Sequence, residues 1–190
     1  MRLGEGTASQ DADTDVTEVA SWTHVTRGEL QRGGQGLLGE IEQVPPMYSA
    51  IKVGGKRLHE LARDGKEVER EPRPVVIHEF ELFADSAGGG GEPAALSADD
   101  DRLAGEQLLG QDVRFAVHCS KGTYVRTLAF DLGRAVGSVS HLTALRRTRV
   151  GEFSVDDAWD VGELHEALTA VSSAKTRKPG GRDSNRVRGA

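Results

Sequence analysis

The sequence is poor in the residues that build disulfides, metal sites and membrane segments. Its single cysteine, Cys119, cannot form a disulfide within the chain. No hydrophobic run approaches the roughly 18 residues that a membrane helix requires, and the N-terminus has no apolar stretch of the signal-peptide type. Cysteine and histidine do not recur at zinc-ligand spacing. We therefore expect a cytoplasmic protein with neither a metal site nor a membrane partner.

Aromatic residues are also scarce, at 5% of the chain, and the two tyrosines, Tyr48 and Tyr124, stand in its two basic segments. Residues 44–75 carry seven basic and five acidic side chains, and residues 113–150 carry seven and one. The net charge of −6 arises elsewhere, chiefly from residues 76–112, which carry one basic and nine acidic side chains. Because salt screens charges beyond about 10 Å, a local basic surface can bind a polyanion on an acidic protein.

Two segments alternate between apolar and polar residues, which is typical of half-buried strands. These are "RPVVIHEFELF" and "DVRFAVHCS", and they flank residues 84–111, a stretch with four consecutive glycines and three consecutive aspartates. Such a composition cannot bury much surface, so it predicts a disordered acidic insertion. We expect the flanking strands to pair antiparallel, with the insertion at the tip of the hairpin.

A first helix is predicted after Thr26, which forms a possible capping box with Glu29. The helix would contain Gly33, Gly34 and Gly36. Each glycine costs about 1 kcal/mol relative to alanine in a helix interior. The sequence therefore predicts a short or frayed helix.

A second helix is predicted in "KGTYVRTLAFDLGRAVG". Thr123 is the expected cap, Leu128 and Leu132 lie on the apolar face, and Gly137 ends the helix. Arg126 falls in the first turn, where a cation opposes the helix dipole. A residue that breaks a local rule is a candidate for function, although a solvated arginine is the simpler reading.

The stretch "PPMYSAIKVGGKR" places Tyr48 directly after Pro45 and Pro46. Two prolines make a stiff, extended entry, so the tyrosine has a defined direction. One interpretation is a buried tyrosine that closes a turn. The other is a flat ring aimed at a planar ligand beside a basic strip.

Three stretches closely resemble the TruB family of bacterial tRNA pseudouridine synthases: "QVPPMYSAIKVGGKRLHELARDG", "VHCSKGTYVRTLAFDLG" and "HLTALRRTRVGEF". The resemblance covers about residues 40–160. It implies an α+β fold with a mixed, mainly antiparallel sheet and flanking helices, incomplete in this chain. It also implies isomerisation of the T-loop uridine of tRNA by a monomer that flips the base out of the RNA and needs no cofactor or metal.

The same resemblance implies roles for particular residues. Tyr48 would stack on the flipped uracil, and Tyr124 would line the uridine pocket. Arg126 would orient the catalytic aspartate, and Leu145 would form an apolar wall against the target nucleotide. We expect the T arm of the tRNA to contact a set of basic side chains, namely Lys52, Lys121, Arg146, Arg147 and Arg149.

The expected domain organisation follows from these assignments. Residues 1–160 would form a partial catalytic domain with the disordered insertion at 84–111. Residues 161–190 would form a C-terminal helix remnant and a basic disordered tail.

The sequence departs from the family pattern at the catalytic aspartate, because no segment of the Gly-x-Leu-Asp-Pro type is found. Asp11, Asp13 and Asp15 belong to a polar loop, Asp131 lies in a predicted helix and is interpreted as structural, and His59 replaces a tyrosine common in the family. We therefore expect a shortened chain that is inactive alone. The main alternative is a non-catalytic RNA-binding protein; RNA-guided pseudouridine synthases are a lesser one.

Overall fold

The computed structural model describes residues 1–83 and 105–176. The strands in these ranges are β1 (Arg2–Leu3), β2 (Glu5–Thr7), β3 (Val16–Val19), β4 (Gly39–Gln43), β5 (Lys52–Val53), β6 (Lys56–Arg57), β7 (Arg73–Leu82), β8 (Phe115–Cys119), β9 (Ser140–His141), β10 (Arg149–Val150) and β11 (Phe153–Ser154). The helices are α1 (Arg27–Gln35), α2 (Leu58–Arg63), α3 (Val125–Ala135), a 3₁₀ turn (Val155–Asp157) and α4 (Val161–Thr176).

The largest sheet has three antiparallel strands in the order β4-β7-β8. Phe80 on β7 lies opposite Val117 on β8, which confirms the predicted hairpin pairing. Phe80 and Leu82 are buried, while Glu79 and Glu81 are exposed, as the alternation predicts. Helices accompany the small antiparallel sheets, and the predicted α+β class is confirmed.

Further short strand pairs in the described residues are β1 with β9, β2 with β3, and β5 with β6, all antiparallel. A single parallel bridge joins Asp11 to Leu142 within the described residues. It ties the loop after β2 to the chain after β9. This bridge positions the candidate site described below.

Helix α1 is short, as predicted, and it begins with the complete Thr26–Glu29 capping box. The glycines in it have a packing role. A Cβ atom on Gly33 would lie 2.7 Å from Leu132 of α3, and one on Gly34 would lie 2.5 Å from the Phe80 ring. Real Cβ atoms do not approach so closely, so glycine allows α1 to pack directly against α3 and β7.

Helix α3 presents Leu128 and Leu132 to the core, where both are fully buried. Gly137 follows the helix with φ at +72°, which confirms the predicted stop. The predicted cap is wrong. Tyr124 occupies the N-cap position, and the Thr123 hydroxyl instead donates to the carbonyl of Ser120 at 2.9 Å. The tight turn after β8 satisfies the hydroxyl locally and so removes it from the helix end.

The predicted disordered insertion needs a partial correction. Residues 84–104 lie outside the described residues, but residues 105–111 contact the fold. The backbone N–H of Arg27 donates to the carbonyl of Glu106 at 3.0 Å, and the N–H of Leu3 donates to that of Gln111 at 2.9 Å. Leu108 packs against the core. The Leu108 side chain and these backbone hydrogen bonds hold residues 105–111 against the fold, although composition alone assigned them to the disordered acidic insertion.

The chain divides into two compact units, residues 1–145 and residues 146–190. The first unit holds the core and both tyrosines. In the second, the pair β10–β11 leads into the 3₁₀ turn, whose start is capped by the Ser154 hydroxyl accepting from the backbone N–H of Asp156 at 3.2 Å. Helix α4 follows. The predicted domain boundary at residue 160 stays a prediction.

Candidate functional site

The candidate site forms where the loop after β2 meets the first turn of α3. The loop is held by its own polar groups, because the Thr7 hydroxyl donates to the backbone carbonyl of Asp11 at 2.6 Å and the backbone N–H of Ser9 donates to the Thr14 hydroxyl at 3.1 Å. Gln10 has φ at +65°, which is uncommon for a residue other than glycine. Its side-chain oxygen accepts from the Thr127 hydroxyl at 2.7 Å. The loop is thereby attached to α3.

Arg126 is the centre of the site. Its Nη1 group donates to Oδ2 of Asp11 at 2.5 Å, and its Nη2 group donates to the backbone carbonyl of Tyr48. The arginine and aspartate side chains are 19% and 18% exposed, so this ion pair is largely withdrawn from solvent. The Arg126 guanidinium carbon also lies 5.8 Å from the centre of the Tyr124 ring, within cation–π range. The Arg126 side chain therefore connects the start of α3 with two segments that are distant in the sequence, the loop of Asp11 and the segment of Tyr48.

The Asp11 carboxylate is held in its charged form. Burial raises its pKa, but hydrogen bonds from Ser9, Arg126 and the Asp13 amide outweigh this effect, and the pKa is lowered from its usual value. Oδ1 accepts from the Ser9 hydroxyl at 2.6 Å and the Asp13 N–H at 3.1 Å, while Oδ2 accepts from Arg126. With three hydrogen bonds on its two oxygens, this carboxylate is suited to holding a cation in place and less suited to nucleophilic attack.

Asp131, on the same helix, is in a different environment. Burial raises the pKa of its carboxyl above the usual value. The loop after β2, not this helical residue, supplies the partner of Arg126.

The Tyr124 backbone is fixed by a side chain from β4. The N–H of Tyr124 donates to Oε1 of Gln43 at 2.7 Å, and Nε2 of Gln43 donates to the carbonyl of Tyr124 at 3.2 Å. Gln43 is only 3% exposed. Its amide therefore acts as a substitute peptide group beside the first turn of α3.

Tyr48 lies on a segment that leaves the sheet directly after Gln43. Pro45 and Pro46 are buried, and the Tyr48 side chain is half-buried. The ring of His59 contacts the next residue through a bond of 3.1 Å between its Nδ1 and the Ser49 carbonyl. Tyr48 is therefore neither a fully buried core residue nor a freely exposed one, which is compatible with a ring prepared to stack on a ligand.

The structure leaves other predicted residues apart from this cluster. Leu145 is 59% exposed near the end of the first unit. Lys52 is exposed on the β5–β6 hairpin, and Lys121 is exposed in the turn before α3. All three lie on the surface, where a large ligand can reach them.

The remaining predicted RNA contacts, Arg146, Arg147 and Arg149, belong to the second unit. All three side chains are exposed. Arg149 begins β10 and pairs with Ser154 of β11. A short hairpin thus presents one of these arginines, and the other two precede it.

Sequence reasoning missed two residues of the cluster, Asp11 and Gln43. Asp11 meets a partner 115 residues away, and Gln43 meets one 81 residues away. Gln43 opens the family-like stretch "QVPPMYSAIKVGGKRLHELARDG", but the resemblance gave it no role; for Asp11 the local signal was Ser9 two residues earlier, a spacing that favours a side-chain-stabilised turn. That signal indicates a structured loop without identifying what the loop contacts.

No three histidine, cysteine, aspartate or glutamate side chains in residues 1–83 and 105–176 are grouped so as to hold a metal ion. No helix in the same ranges is long and apolar enough to cross a membrane.

Comparison with known proteins assigns the chain to one family. Residues 1–125 match the model of the TruB family pseudouridylate synthase N-terminal domain, and residues 126–178 match that of the tRNA pseudouridylate synthase B C-terminal domain. The chain therefore belongs to the TruB family of pseudouridylate synthases. The two matched segments meet beside Arg126, so its contacts to Asp11 and Tyr48 join them.

Individual relatives of the chain support the same family assignment. The chain is 46% identical over 172 residues to a tRNA pseudouridine synthase B of Aromatoleum aromaticum, which covers 90% of this chain and 48% of the relative. It is 41% identical over 169 residues to one of Mycobacteroides abscessus, which covers 89% and 51%. It is 40% identical over 178 residues to one of an Arthrobacter species, which covers 94% and 53%. The chain spans about half the length of the curated relatives it matches.

Proposed function

We propose that this chain forms part of a tRNA pseudouridine synthase that acts on the uridine of the T loop. In this reaction the bond from N1 of uracil to C1′ of ribose breaks, the base turns, and C5 bonds to C1′; C5 loses its proton and N1 takes one up. The product is an isomer of the substrate, so the balance requires no cofactor. The observation that carries the proposal is the largely buried Arg126–Asp11 pair, bonded to the tyrosine segment, in a chain of this family.

Arg126 is proposed to orient the catalytic carboxylate. A guanidinium has five N–H donors in a fixed fork, and the bonds to Asp11 and Tyr48 use two of them. The remaining donors can hold a second carboxylate in a bidentate or shared arrangement. Asp11 would then keep Arg126 in position, and a further aspartate would react.

Asp11 itself is a poor candidate for the reacting group. A nucleophilic carboxylate needs an accessible lone pair, whereas both oxygens of Asp11 already accept hydrogen bonds. Its lowered pKa stabilises the negative charge and reduces its basicity further. We therefore expect that the 190-residue chain by itself does not convert uridine to pseudouridine.

The aromatic and basic residues complete the proposed substrate site. A base stacked on an aromatic ring gains about 1–3 kcal/mol, and Tyr48 on its proline-stiffened segment is the platform we propose for the flipped uracil. Tyr124 would line the pocket and Leu145 would close it on an apolar side. Lys52, Lys121, Arg146, Arg147 and Arg149 would contact phosphates of the T arm. A monomer and a cytoplasmic location stay predictions.

The test is tritium release from a T-arm transcript labelled at C5 of uridine. Two proteins are compared: the 190-residue chain, and a chimera that joins to it the part of the Aromatoleum relative outside the matched region, which is about half of that relative. We expect release from the chimera only, and its loss in the chimera with Arg126→Ala. Release by the 190-residue chain would show that Asp11 or another carboxylate of this chain reacts. Inactivity of the chimera together with intact RNA binding would favour the non-catalytic alternative.

A further inference from the structure

Two residue segments meet at the candidate site through two separate bridges. The segment 43–48 carries Gln43 at one end and Tyr48 at the other, and the segment 124–126 carries Tyr124 and Arg126. Gln43 bonds to both backbone groups of Tyr124, and Arg126 bonds to the carbonyl of Tyr48. The two segments are therefore linked at two points, Gln43 to Tyr124 and Arg126 to Tyr48, and these links fix the distance between the two tyrosines.

We propose that Gln43 is a positioning residue for this site, setting Tyr124 and the first turn of α3 relative to Tyr48. It deepens the proposed function, on which its relevance to uridine binding depends. Gln43 is the last residue of β4 and pairs with Arg73 in the three-stranded sheet. The sheet is the rigid element here, and Gln43 transmits its position to the helix through a side chain.

The chemistry of the helix start explains why such a residue is needed. Tyr124 is the N-cap of α3, and its side chain makes no capping bond. The Tyr124 N–H precedes the helical hydrogen bonds and donates to Gln43, while the Tyr124 carbonyl accepts from Thr127 and Leu128 within the helix as well as from Gln43. A primary amide supplies one acceptor and two donors in one planar group, so the Gln43 side chain bonds to both backbone groups of Tyr124 at once.

The contact between Gln43 and Tyr124 is sensitive to the residue type at position 43, because this side chain is buried. At 3% exposure the amide is shielded from water, so a replacement that cannot hydrogen-bond leaves two backbone groups of Tyr124 without this partner. Arg126 follows two residues later, and its ion pair with Asp11 requires the helix start to be correctly placed. A disturbance at Gln43 is therefore expected first at Tyr124 and then at Arg126.

The test uses the free 190-residue chain and needs no enzymatic activity. Because the chain has two tyrosines, 3-fluorotyrosine labelling gives two fluorine resonances, assigned with Tyr124→Phe. In Gln43→Met, which keeps the side-chain length, the Tyr124 resonance should shift or broaden. Exchange of the Tyr124 amide should accelerate about fivefold, the factor equivalent to one net hydrogen bond. The amide of Val136, at the other end of α3, should change by less than about twofold, since its own helical bond to Leu132 is untouched.

The matched control is Gln111→Met, which removes a comparable bond from Gln111 Nε2 to the carbonyl of Leu3, 3.1 Å long. It should leave both fluorine resonances in place. Equal acceleration of the Tyr124 and Val136 amides in Gln43→Met would indicate a general loss of stability and overturn the proposal, as would an unchanged Tyr124 amide.

Gln43→Glu provides a second test that retains the acceptor for the Tyr124 N–H. The Tyr124 amide should keep its protection in this variant while the Tyr124 fluorine resonance shifts, because the donor to the Tyr124 carbonyl is lost. A Tyr124 amide that is unprotected in Gln43→Glu would contradict the assigned contact, even where Gln43→Met fails to fold. If Tyr124 responds selectively in the Gln43 variants but the chimera is inactive in the tritium assay, only the enzymatic proposal is refuted. The positioning role of Gln43 then stands.

Discussion

Replacing Asp11 with asparagine tests the ion pair at the centre of the site. The variant keeps the size of the side chain and removes its charge. Breaking a fully buried pair costs about 3–5 kcal/mol. Here the two side chains are 18% and 19% exposed, and asparagine can still accept from the Ser9 hydroxyl. We therefore expect the free energy of unfolding of the first unit to fall by about 2 kcal/mol, below the fully buried case because solvent reaches part of the pair.

The difference in the free energy of unfolding between wild type and Asp11→Asn should depend on pH in a definite direction. The pKa of Asp11 is lowered in the folded protein, so its contribution to stability is fully present above its ordinary value near 4. That contribution is lost as the pH falls through the lowered folded value. The difference between wild type and Asp11→Asn should consequently stay constant from about pH 7 to pH 5 and shrink at lower pH.

Urea unfolding followed by tryptophan emission is the assay. Trp159→Phe serves as the background, so that the signal comes from Trp22, which packs against the core of the first unit. Asp13→Asn is the control, because its side chain is exposed on the same loop. A loss below about 0.5 kcal/mol in Asp11→Asn, the range of ordinary surface substitutions, would refute the reasoning, and so would a difference that persists unchanged in acid.

Three further predictions concern packing, RNA and the arginine. Gly34→Ala should destabilise the first unit by about 1–3 kcal/mol despite its better helix propensity, since the added Cβ meets the Phe80 ring; a gain in the urea assay would contradict this. Binding of a T-arm hairpin across a KCl series should show a slope flatter by about 0.7–0.9 in Arg147→Ala, which removes a phosphate contact, and an unchanged slope in Tyr48→Ala, which removes a ring. Arg126→Ala should bind this RNA with nearly wild-type affinity, because its partner is a carboxylate; a flattened salt slope would make it a phosphate contact.

The elements of the fold were largely predictable because their signals are local. The alternation around Phe80 gave β7, the capping box at Thr26 gave the start of α1, and Gly137 gave the end of α3. Thr123 failed as a cap because a serine carbonyl in the preceding turn competes for its hydroxyl, and sequence alone does not reveal that competition.

The candidate site was predictable only where a family motif carries it. Tyr48, Tyr124 and Arg126 stand in recognisable motifs, and the structure brings them together. Asp11 lies outside these motifs, and Gln43 opens one of them without an assigned role; both reach the cluster through tertiary contacts that no periodic pattern predicts. Residues of this kind are set by the geometry of the folded chain, so composition and spacing do not identify them.

The close packing at Gly33 and Gly34 also has a consequence for the order of folding. Two interior glycines make the isolated helix α1 unstable by about 2 kcal/mol relative to an alanine-containing one. Packing against Leu132 and Phe80, which lie on other elements, offsets this loss of helix stability. Helix α1 should therefore form late, after the β7–β8 hairpin and α3 have docked, and mutations in it should change the unfolding rate more than the folding rate.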